Sequence, residues 1–314
     1  MADPQGASGV AGAGKGIAGR MKFALHAVGC GSTARPEVLG EVARKAESLG
    51  FESVWIPEHL LVPLEMRTPY PYSADGKFPG GAAVALHDPF VALAYVAACT
   101  ARIKLGTGVF VLPLRNAVAV AKAAASVDVL SNGRLLFGIG VGWLADEFEA
   151  VGMPFADRAA RAREAIRLMR TLWSEETPSF SGRFHEVPAC GFSPKPVQQP
   201  GPPIILGGES PAALRRAAAL GDGWIGVSHS PDSVRPLLAT LRGHLEAAGR
   251  DWSGFEITVG TAAGVRLDRD TVRAFADAGV HRLFAFSPGF VPRGRFASDL
   301  YPAMERFAAE HIAA

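Results

Sequence analysis

The sequence predicts an α/β fold, a closed (β/α)8 TIM barrel with insertions, and three observations lead to that prediction. Two apolar runs, 103–112 and 135–141, do not alternate with polar residues, which is typical of parallel strands buried on both faces. A segment of helical length, 117–130, lies between them and ends at Asn132 and Gly133. Six further strand-like runs alternate with helical segments, and the 314 residues suffice for such a barrel with insertions.

Each predicted element has a local reason in the sequence. The strands are apolar runs, and helices begin where proline suits the first turn, as at Pro36, or where a side chain can cap free amides, as at Asp88, Asp157 and Ser210. The predicted strands are 21–27, 51–56, 103–112, 135–141, 204–206, 224–227, 255–263 and 282–286. The helices that follow them are 36–49, 89–99, 117–130, 157–173, 211–220, 231–248, 270–278 and 298–314.

Three stretches fall outside this pattern. Residues 60–87 contain four prolines and several aromatic residues, which favours a lid that packs on the barrel, and 177–203 is a second irregular segment. Residues 1–20 are rich in glycine and alanine and predict a flexible tail, so 21–314 is predicted to be one barrel domain. The motif GVAGAGK at 9–15 is not interpreted as a phosphate loop, because Gly16 stands where Ser or Thr is needed.

Composition excludes several classes of function. With 32 basic and 30 acidic residues, the sequence gives no support to nucleic-acid binding, and no apolar run is long enough to span a membrane. The three cysteines, Cys30, Cys99 and Cys190, are far apart and form no CxxC motif, which favours a reducing cytoplasm. The sequence contains neither a metal-ligand spacing nor a G-x-S-x-G nucleophile motif.

The carboxyl ends of barrel strands form the active face of this fold, so the residues there are the candidates for chemistry. They are mostly glycine, tryptophan and apolar residues with one acid–histidine pair, which suits a flat aromatic cofactor better than hydrolysis. Glycines at the ends of two strands also suggest close approach of a ligand to the backbone (Gly106, Gly108, Gly138, Gly140, Gly142). The residues at the strand ends are His26, Glu58, His59, Gly108, Val109, Gly142, Trp143, Gly208, Glu209, Ser210, Ser228 and His229.

The turn Gly207, Gly208, Glu209, Ser210 precedes a helix and predicts a phosphate site. Backbone amides at a helix N-terminus bind anions, and the helix dipole strengthens that binding. The alternative is that Ser210 only caps the helix that Pro211 begins, and both roles are compatible. The GIGVGW segment does not match the dinucleotide fingerprint, because Trp143 occupies its last glycine position.

Three long segments together resemble the bacterial luciferase-like family over nearly all of 21–286. The longest is LGTGVFVLPLRNAVAVAKAAASVDVLSNGRLLFGIGVGWLADEF, with its GTGV strand end, VDVLSNGR helix exit and GIGVGW strand. ESLGFESVWIPEHL and IILGGESPAALRRAAALGDGWIGV are similar to the same family at matching positions. The GIGVGW and PEH segments most resemble its coenzyme F420-dependent oxidoreductases.

The resemblance implies a barrel cavity that holds a deazaflavin or flavin ring. A cis peptide bond is expected at Gly108–Val109 against the ring, with Gly142 and Trp143 nearby and the phosphate on the 207–210 turn. Glu58 and His59 would line the ring edge as catalytic residues, with His59 relaying a proton while a hydride moves; alternatively His59 caps or packs under the lid. The substrate pocket would contain Tyr70, Tyr72, Phe78 and His26.

Two departures from the family pattern bear on the cofactor and substrate. Val141 stands where some flavin-using relatives carry an arginine that contacts phosphate, which favours F420 over FMN. Some F420-dependent sugar-phosphate dehydrogenases carry a catalytic glutamate just after this strand, whereas here Leu144 and Ala145 precede Asp146 and Glu147.

The predicted function is hydride transfer between F420 and an unidentified small organic substrate. One alternative is an FMN-dependent monooxygenase that uses reduced flavin and O2, and another is a non-catalytic flavin-binding protein. Family members are often homodimers, and the helices after the second and third strands could pack across a two-fold axis.

Overall fold

A computed structural model describes residues 20–73 and 75–313. The predicted tail, 1–20, and its GVAGAGK motif lie outside this range except for Arg20, so the tail stays a prediction. The strands are β1 Lys22–Leu25, β2 Ser53–Ile56, β3 Lys104–Thr107, β4 Phe110–Val111, β5 Leu135–Gly140, β6 Phe180–Ser181, β7 Glu186–Val187, β8 Ile204–Gly207, β9 Gly223–His229, β10 Glu256–Thr261 and β11 Arg282–Phe286. The α-helices are α1 Pro36–Ser48, α2 Pro89–Cys99, α3 Ala117–Leu130, α4 Ala145–Ala150, α5 Arg158–Ser174, α6 Pro211–Leu220, α7 Pro231–Ala247, α8 Arg269–Ala278 and α9 Tyr301–His311.

Eight parallel strands form a closed barrel, which confirms the predicted (β/α)8 architecture. Their order around the barrel is β3, β2, β1, β11, β10, β9, β8 and β5. The barrel closes where β3 pairs with β5, with Leu105 opposite Leu135 and Gly106 opposite Leu136. Each of these strands is followed by at least one of the α-helices.

The predicted strand 103–112 is wrong in one respect, because it divides into β3 and β4 around a cis peptide bond between Gly108 and Val109. After this bond, β4 pairs only with β5, and a 3-10 turn, Leu112–Leu114, follows. The cis bond itself lies where the family resemblance implied it.

Several other elements differ from the predictions. The β6–β7 hairpin and α4 were not predicted, and a π-helical turn, Phe296–Leu300, precedes α9. Asp88 and Ser210 cap their helices as predicted, whereas the Asp157 side chain makes no capping hydrogen bond at α5. Its backbone is already helical, with φ −88° and ψ 0°, instead of the extended conformation usual for a capping residue.

Trp55 fills the barrel interior, and this packing explains two of the strand glycines. Its indole lies among buried residues of the other strands, and its Nε1 donates to Ser53 Oγ at 2.8 Å. A Cβ at Gly106 would overlap the indole ring, and one at Gly138 would overlap the Thr107 carbonyl oxygen. The interpretation of Gly106 and Gly138 as points of ligand approach was therefore wrong, because they make room for Trp55 and for the neighbouring strand. The buried neighbours of Trp55 are Ala24, Leu136, Ile205, Ile225 and Phe284.

Arg282 closes the amino end of the barrel with an ionic cluster. This arginine is fully buried and donates to Glu52 at 2.8 and 2.9 Å and to Glu256 at 2.8 Å. Burial alone would raise the pKa of Glu256, but Arg282 and Lys22 lower it to about 2. Both carboxylates therefore stay ionised and neutralise the buried guanidinium.

No helix within the described part of the chain combines the length and apolar character needed to cross a membrane.

Replacing Gly138 with alanine is expected to lower the free energy of unfolding by about 1–3 kcal/mol, because the new methyl group has no space beside the Thr107 carbonyl and Trp55. Chemical denaturation measures the change. Gly243→Ala is the matched control, because Gly243 lies in α7 and a methyl group added there would meet no neighbouring side chain within 4 Å. It should gain about 0.5–1 kcal/mol from helix propensity. Equal stability of Gly138→Ala and the wild type would contradict the packing of the barrel interior.

Candidate active site

The predicted site residues follow strands that end at the same mouth of the barrel. His26 follows β1, Glu58 and His59 follow β2, and the Gly108–Val109 bond follows β3. Gly142 and Trp143 follow β5, and the 207–210 turn ends β8. Because all these strands are parallel, their carboxyl ends form one face.

Val109 lies at the base of this face, in a notch between two glycines. A Cβ at Gly140 would be 2.7 Å from one Val109 methyl group, and a Cβ at Gly207 would be 3.3 Å from the other. Val109 also packs on the apolar cluster around Trp55. Gly140 and Gly207 therefore allow the cis segment to sit low in the barrel and form an apolar floor.

His26 holds this floor from one side. Its Nε2 lies 2.9 Å from the Gly108 carbonyl oxygen, and its ring stacks on Phe284 with 4.8 Å between centroids. A carbonyl oxygen only accepts, so Nε2 carries the proton and donates it. Burial lowers the pKa of His26, which favours the neutral ring. His26, predicted for the substrate pocket, is thus engaged with the backbone of the floor.

Glu58 lies beneath the mouth and is almost fully buried. Its Oε2 accepts from the Val111 amide at 2.5 Å, and its Oε1 accepts from Arg115, which also donates to Asp88 at 2.9 Å. Burial raises the pKa of Glu58 to about 7, and Arg115 and the Val111 amide oppose that rise. Since both oxygens have partners, the geometry supports a role in positioning β4 more than contact with a ring.

His59 and Glu147 form a hydrogen-bonded pair at the mouth. The Nδ1 atom of His59 lies 3.1 Å from Glu147 Oε2, and the Leu60 amide donates to the other oxygen of the same carboxylate. The Glu147 side chain is 1% exposed and that of His59 is 9% exposed. Among the described residues, His59 Nε2 has no hydrogen-bond partner, so one ring nitrogen is oriented by a carboxylate and the other is free for chemistry.

An aromatic cluster surrounds His59 and ties the lid, 60–87, to the barrel. The ring of His59 meets Phe78 and Trp143 edge to face, at centroid distances of 4.9 and 5.7 Å. Tyr70 contacts Phe78 at 5.3 Å, Trp143 at 5.4 Å and Tyr72 at 5.6 Å. Burial raises the pKa of Tyr70 to about 12, so its phenol stays protonated at neutral pH.

Arg67 fastens the same lid to α4. It donates to Asp146 Oδ1 at 2.5 Å and pairs with Glu149. At the other end of the lid, the Gly31 amide donates to the Ala85 carbonyl at 2.9 Å. These surface contacts, which are individually weak, add to the aromatic cluster in holding the lid against the barrel.

The polar side chains of the 207–210 turn already have hydrogen-bond partners within the protein. Ser210 Oγ accepts from the Ala213 amide at 3.2 Å as the helix cap, and Glu209 Oε1 lies 3.0 Å from His229 Nε2. Burial would raise the pKa of Glu209, but the hydrogen bonds from His229 and Val227 lower it below its usual value. Gly208 has φ +109°, and its carbonyl accepts from Trp224 at 2.8 Å. The groups that remain available to donate hydrogen bonds to an anion are therefore backbone amides of the turn and of α6.

Sequence reasoning considered Glu147 only against the catalytic glutamate of some relatives, did not pair it with His59, and gave Arg115 no role. Glu147 is 88 positions from His59, and Arg115 is 57 positions from Glu58. Both residues lie in the long segment that resembles the family, but no local spacing pairs them with His59 or Glu58, so only the fold brings each pair together. Within the described residues, no group of three or more metal-binding side chains is placed to hold an ion.

A cavity of about 620 Å³ opens at the opposite, amino end of the strands. Several of its charged groups have partners: Asp222 pairs with Arg170 at 3.0 Å, Arg250 donates to the Ala218 carbonyl at 2.7 Å, and Glu256 pairs with Arg282 at 2.8 Å. We assign the site to the other end, because that end has the free imidazole nitrogen and the barrel loops that carry chemistry in this fold.

Comparison with known proteins identifies similar chains. The sequence model of the family described as luciferase-like monooxygenase matches residues 21–313. An uncharacterised protein of Mycobacterium tuberculosis is 35% identical over 239 residues, which cover 76% of this chain and 81% of that protein.

Two similar proteins have names that include a cofactor. An F420-dependent glucose-6-phosphate dehydrogenase of Kineococcus radiotolerans is 35% identical over 230 residues, covering 71% of this chain and 63% of that protein. Among solved structures, an F420-dependent secondary alcohol dehydrogenase in complex with an F420–acetone adduct superimposes with a TM-score of 0.71. At 18% identity, with 93% of this chain and 98% of that chain covered, the superposition establishes the shared fold.

Proposed function

The chain belongs to the luciferase-like monooxygenase family, and on that premise we propose that it is an oxidoreductase that transfers a hydride between coenzyme F420 and a small organic substrate. The observation that carries the proposal is the His59–Glu147 pair, set beside Trp143 at the mouth of the barrel. The similarity to an F420-dependent dehydrogenase at 35% identity supports F420 as the cofactor.

The residues at the mouth fit a flat ring with a phosphate. The Gly108–Val109 floor is apolar, because Val109 occupies the notch between Gly140 and Gly207 and leaves no charged group there. Trp143 and Gly142 would border the ring, and the amides of Gly207, Gly208, Glu209 and Ser210 would hold the phosphate at the N-terminus of α6. When bound, the deazaflavin would supply the carbon that accepts or donates the hydride.

His59 is suited to move the proton that accompanies the hydride. Glu147 accepts from Nδ1 of His59, so in the neutral ring the lone pair is on Nε2, where it can take a proton from the substrate. In the reverse direction the same nitrogen returns the proton. Glu147 orients the ring and stabilises the imidazolium that forms, so we assign it as a positioning residue.

Glu58 and the lid have supporting roles in this proposal. Glu58 binds the Val111 amide and Arg115, which fixes the segment just after the floor. Tyr70, Tyr72 and Phe78 would cover the substrate and exclude water from the proton and hydride transfers.

An FMN-dependent monooxygenase is the second candidate, and the family description favours it. Val141, in place of an arginine at the end of β5, makes tight FMN binding the weaker alternative. In a non-catalytic flavin-binding protein, the space above the ring would be filled and His59 would have no part in turnover.

The proposal also includes a single barrel domain, a cytoplasmic location and a homodimer built on α2 and α3. The outer faces of these helices expose apolar side chains, with Val91 71% and Leu130 70% exposed.

Anaerobic titration followed by cofactor fluorescence tests the choice of cofactor. We expect the purified protein to saturate with F420 and to bind FMN at least about tenfold more weakly, a difference of about 1.4 kcal/mol. A preference for FMN would replace the proposal with the monooxygenase. Failure to bind either cofactor would leave the fold intact and remove the proposed chemistry.

Substitutions of His59 and Glu147 test the proton transfer, once screening has found a substrate that oxidises or reduces F420. His59→Gln should lower kcat by about 10²–10⁴-fold, with little change in the Kd of F420, because it removes the proton carrier. Glu147→Gln should lower kcat by about 10–100-fold and shift the pH profile of kcat.

The matched control is Glu246→Gln, on the exposed face of α7, which should leave kcat within about twofold. Turnover that is unaffected by His59→Gln would exclude the imidazole as the proton carrier.

A further inference from the structure

The cavity at the amino end of the barrel has a volume of about 620 Å³ and no part in the proposed chemistry. Pockets that bind small molecules have volumes of about 300–1,000 Å³, so this amino-end cavity is large enough to hold one. Its inner wall includes Leu136 and Ile205, which also pack on Trp55 in the barrel interior. Val109, from the floor of the mouth, packs on the same cluster. The Trp55 cluster therefore separates the amino-end cavity from the mouth.

A preformed apolar wall encloses the amino-end cavity on another side. It consists of residues 199–203, just before β8, whose three prolines fix the backbone φ angle. This segment packs on the buried ring of Trp173, because a Cβ at Gly201 would be 2.5 Å from the ring atom Cε3. A ligand that enters a preformed cavity has little protein to order, which favours binding.

The carboxylates that line the amino-end cavity are already neutralised. Asp222 pairs with Arg170 at 3.0 Å and also accepts from the Ile204 amide at 2.9 Å. Glu256 pairs with Arg282 at 2.8 Å and with Lys22. Neither carboxylate is therefore free to balance a further cation in the cavity.

Two lining cations, Lys104 and Arg250, have no carboxylate partner. Within the ranges 20–73 and 75–313, no carboxylate lies within ion-pair distance of either side chain. Arg250 donates to the Ala218 carbonyl at 2.7 Å, which carries no net charge. Both residues are half-buried, so water screens their charges less than at an open surface. The amino-end cavity is thus suited to an anion.

The strand order places these two cations on opposite sides of the barrel. Lys104 begins β3 and Arg250 lies in the loop before β10, and three strands separate β3 from β10 in either direction around the ring. Lys104 lies on the same strand face as Gly106, which meets Trp55, so its side chain faces the barrel interior. A ligand with an acidic group at each end matches this arrangement.

We propose that the amino-end cavity binds a small organic acid, a dicarboxylate with an apolar carbon chain. One carboxylate accepts from Lys104 and the other from Arg250, in charge-assisted hydrogen bonds. The carbon chain lies along the wall formed by Leu136, Ile205 and the 199–203 segment. This site has no part in hydride transfer and does not depend on the proposed function.

Thermal unfolding and calorimetric titration of the whole protein test the site, with succinate, glutarate and adipate as probes. At least one of the three should bind and raise the Tm of the wild type saturably at constant ionic strength, because a ligand that binds only the folded state stabilises it. Propionate and sulfate should bind at least about tenfold more weakly, since propionate has one carboxylate and sulfate has no carbon chain.

Four variants identify the place of binding. Lys104→Met and Arg250→Met should each raise the Kd of the dicarboxylate at least about tenfold, the loss expected for a charge-assisted hydrogen bond. The matched control is Arg102→Met, which removes an exposed cation two positions from Lys104 that does not line the cavity, and it should bind as the wild type does. Ala219→Trp keeps every charge but places an indole in the cavity, so it should abolish binding.

Failure of all three dicarboxylates to bind the wild type would overturn the site, and so would equal Kd values in Lys104→Met and Arg102→Met. Should Arg250→Met fail to fold after losing its bond to Ala218, Lys104→Met and Ala219→Trp decide. Whichever cofactor the protein binds, F420 or FMN, should leave the Kd of the dicarboxylate unchanged at saturation. Displacement of the dicarboxylate by the cofactor would place the acid at the mouth and contradict the proposal.

Discussion

The packing of Trp55 inside the barrel is the constraint on which the rest of the structure depends. Its indole occupies the axis between β2, β3 and β5, and only glycine fits at Gly106 and Gly138 beside it. The floor of the mouth rests on this cluster, since Val109 packs on it between Gly140 and Gly207. One large apolar side chain therefore determines both how closely the strands approach and how deep the site lies.

The placement of charge separates the structural part of the molecule from the functional part. At the amino end, Arg282 is buried with two carboxylates that neutralise it, which serves stability. At the carboxyl end, one ring nitrogen of His59 is bound to Glu147, and the other has no partner among the described residues. Buried side-chain atoms of Arg115 and Asp146, near the same mouth, also have no hydrogen-bond partner. This is the pattern expected where a protein binds a charged ligand and transfers a proton.

The eight strands and the helices between them could be predicted from sequence because apolar runs, caps and prolines act locally. Features that depend on contacts between residues far apart in the sequence could not be predicted in this way. The strand glycines indicated that some group comes close to the backbone, but only the fold identifies these groups. They are Trp55 at Gly106, the Thr107 carbonyl at Gly138 and Val109 at Gly140. Residues at the strand ends were placed at the mouth, whereas the partners Glu147 and Arg115 lie 88 and 57 positions away from the residues they bind. The cis bond followed from the family resemblance alone.

A crystal structure of the protein with bound F420 tests the central claim most directly, which is that the mouth with His59 and Glu147 is where the cofactor and substrate meet. The account predicts the deazaflavin ring on the Gly108–Val109 floor with Nε2 of His59 facing its reactive side. It also predicts the phosphate at the 207–210 turn. Density for F420 in the cavity at the amino end, or no F420 at the mouth at saturating concentration, would contradict it.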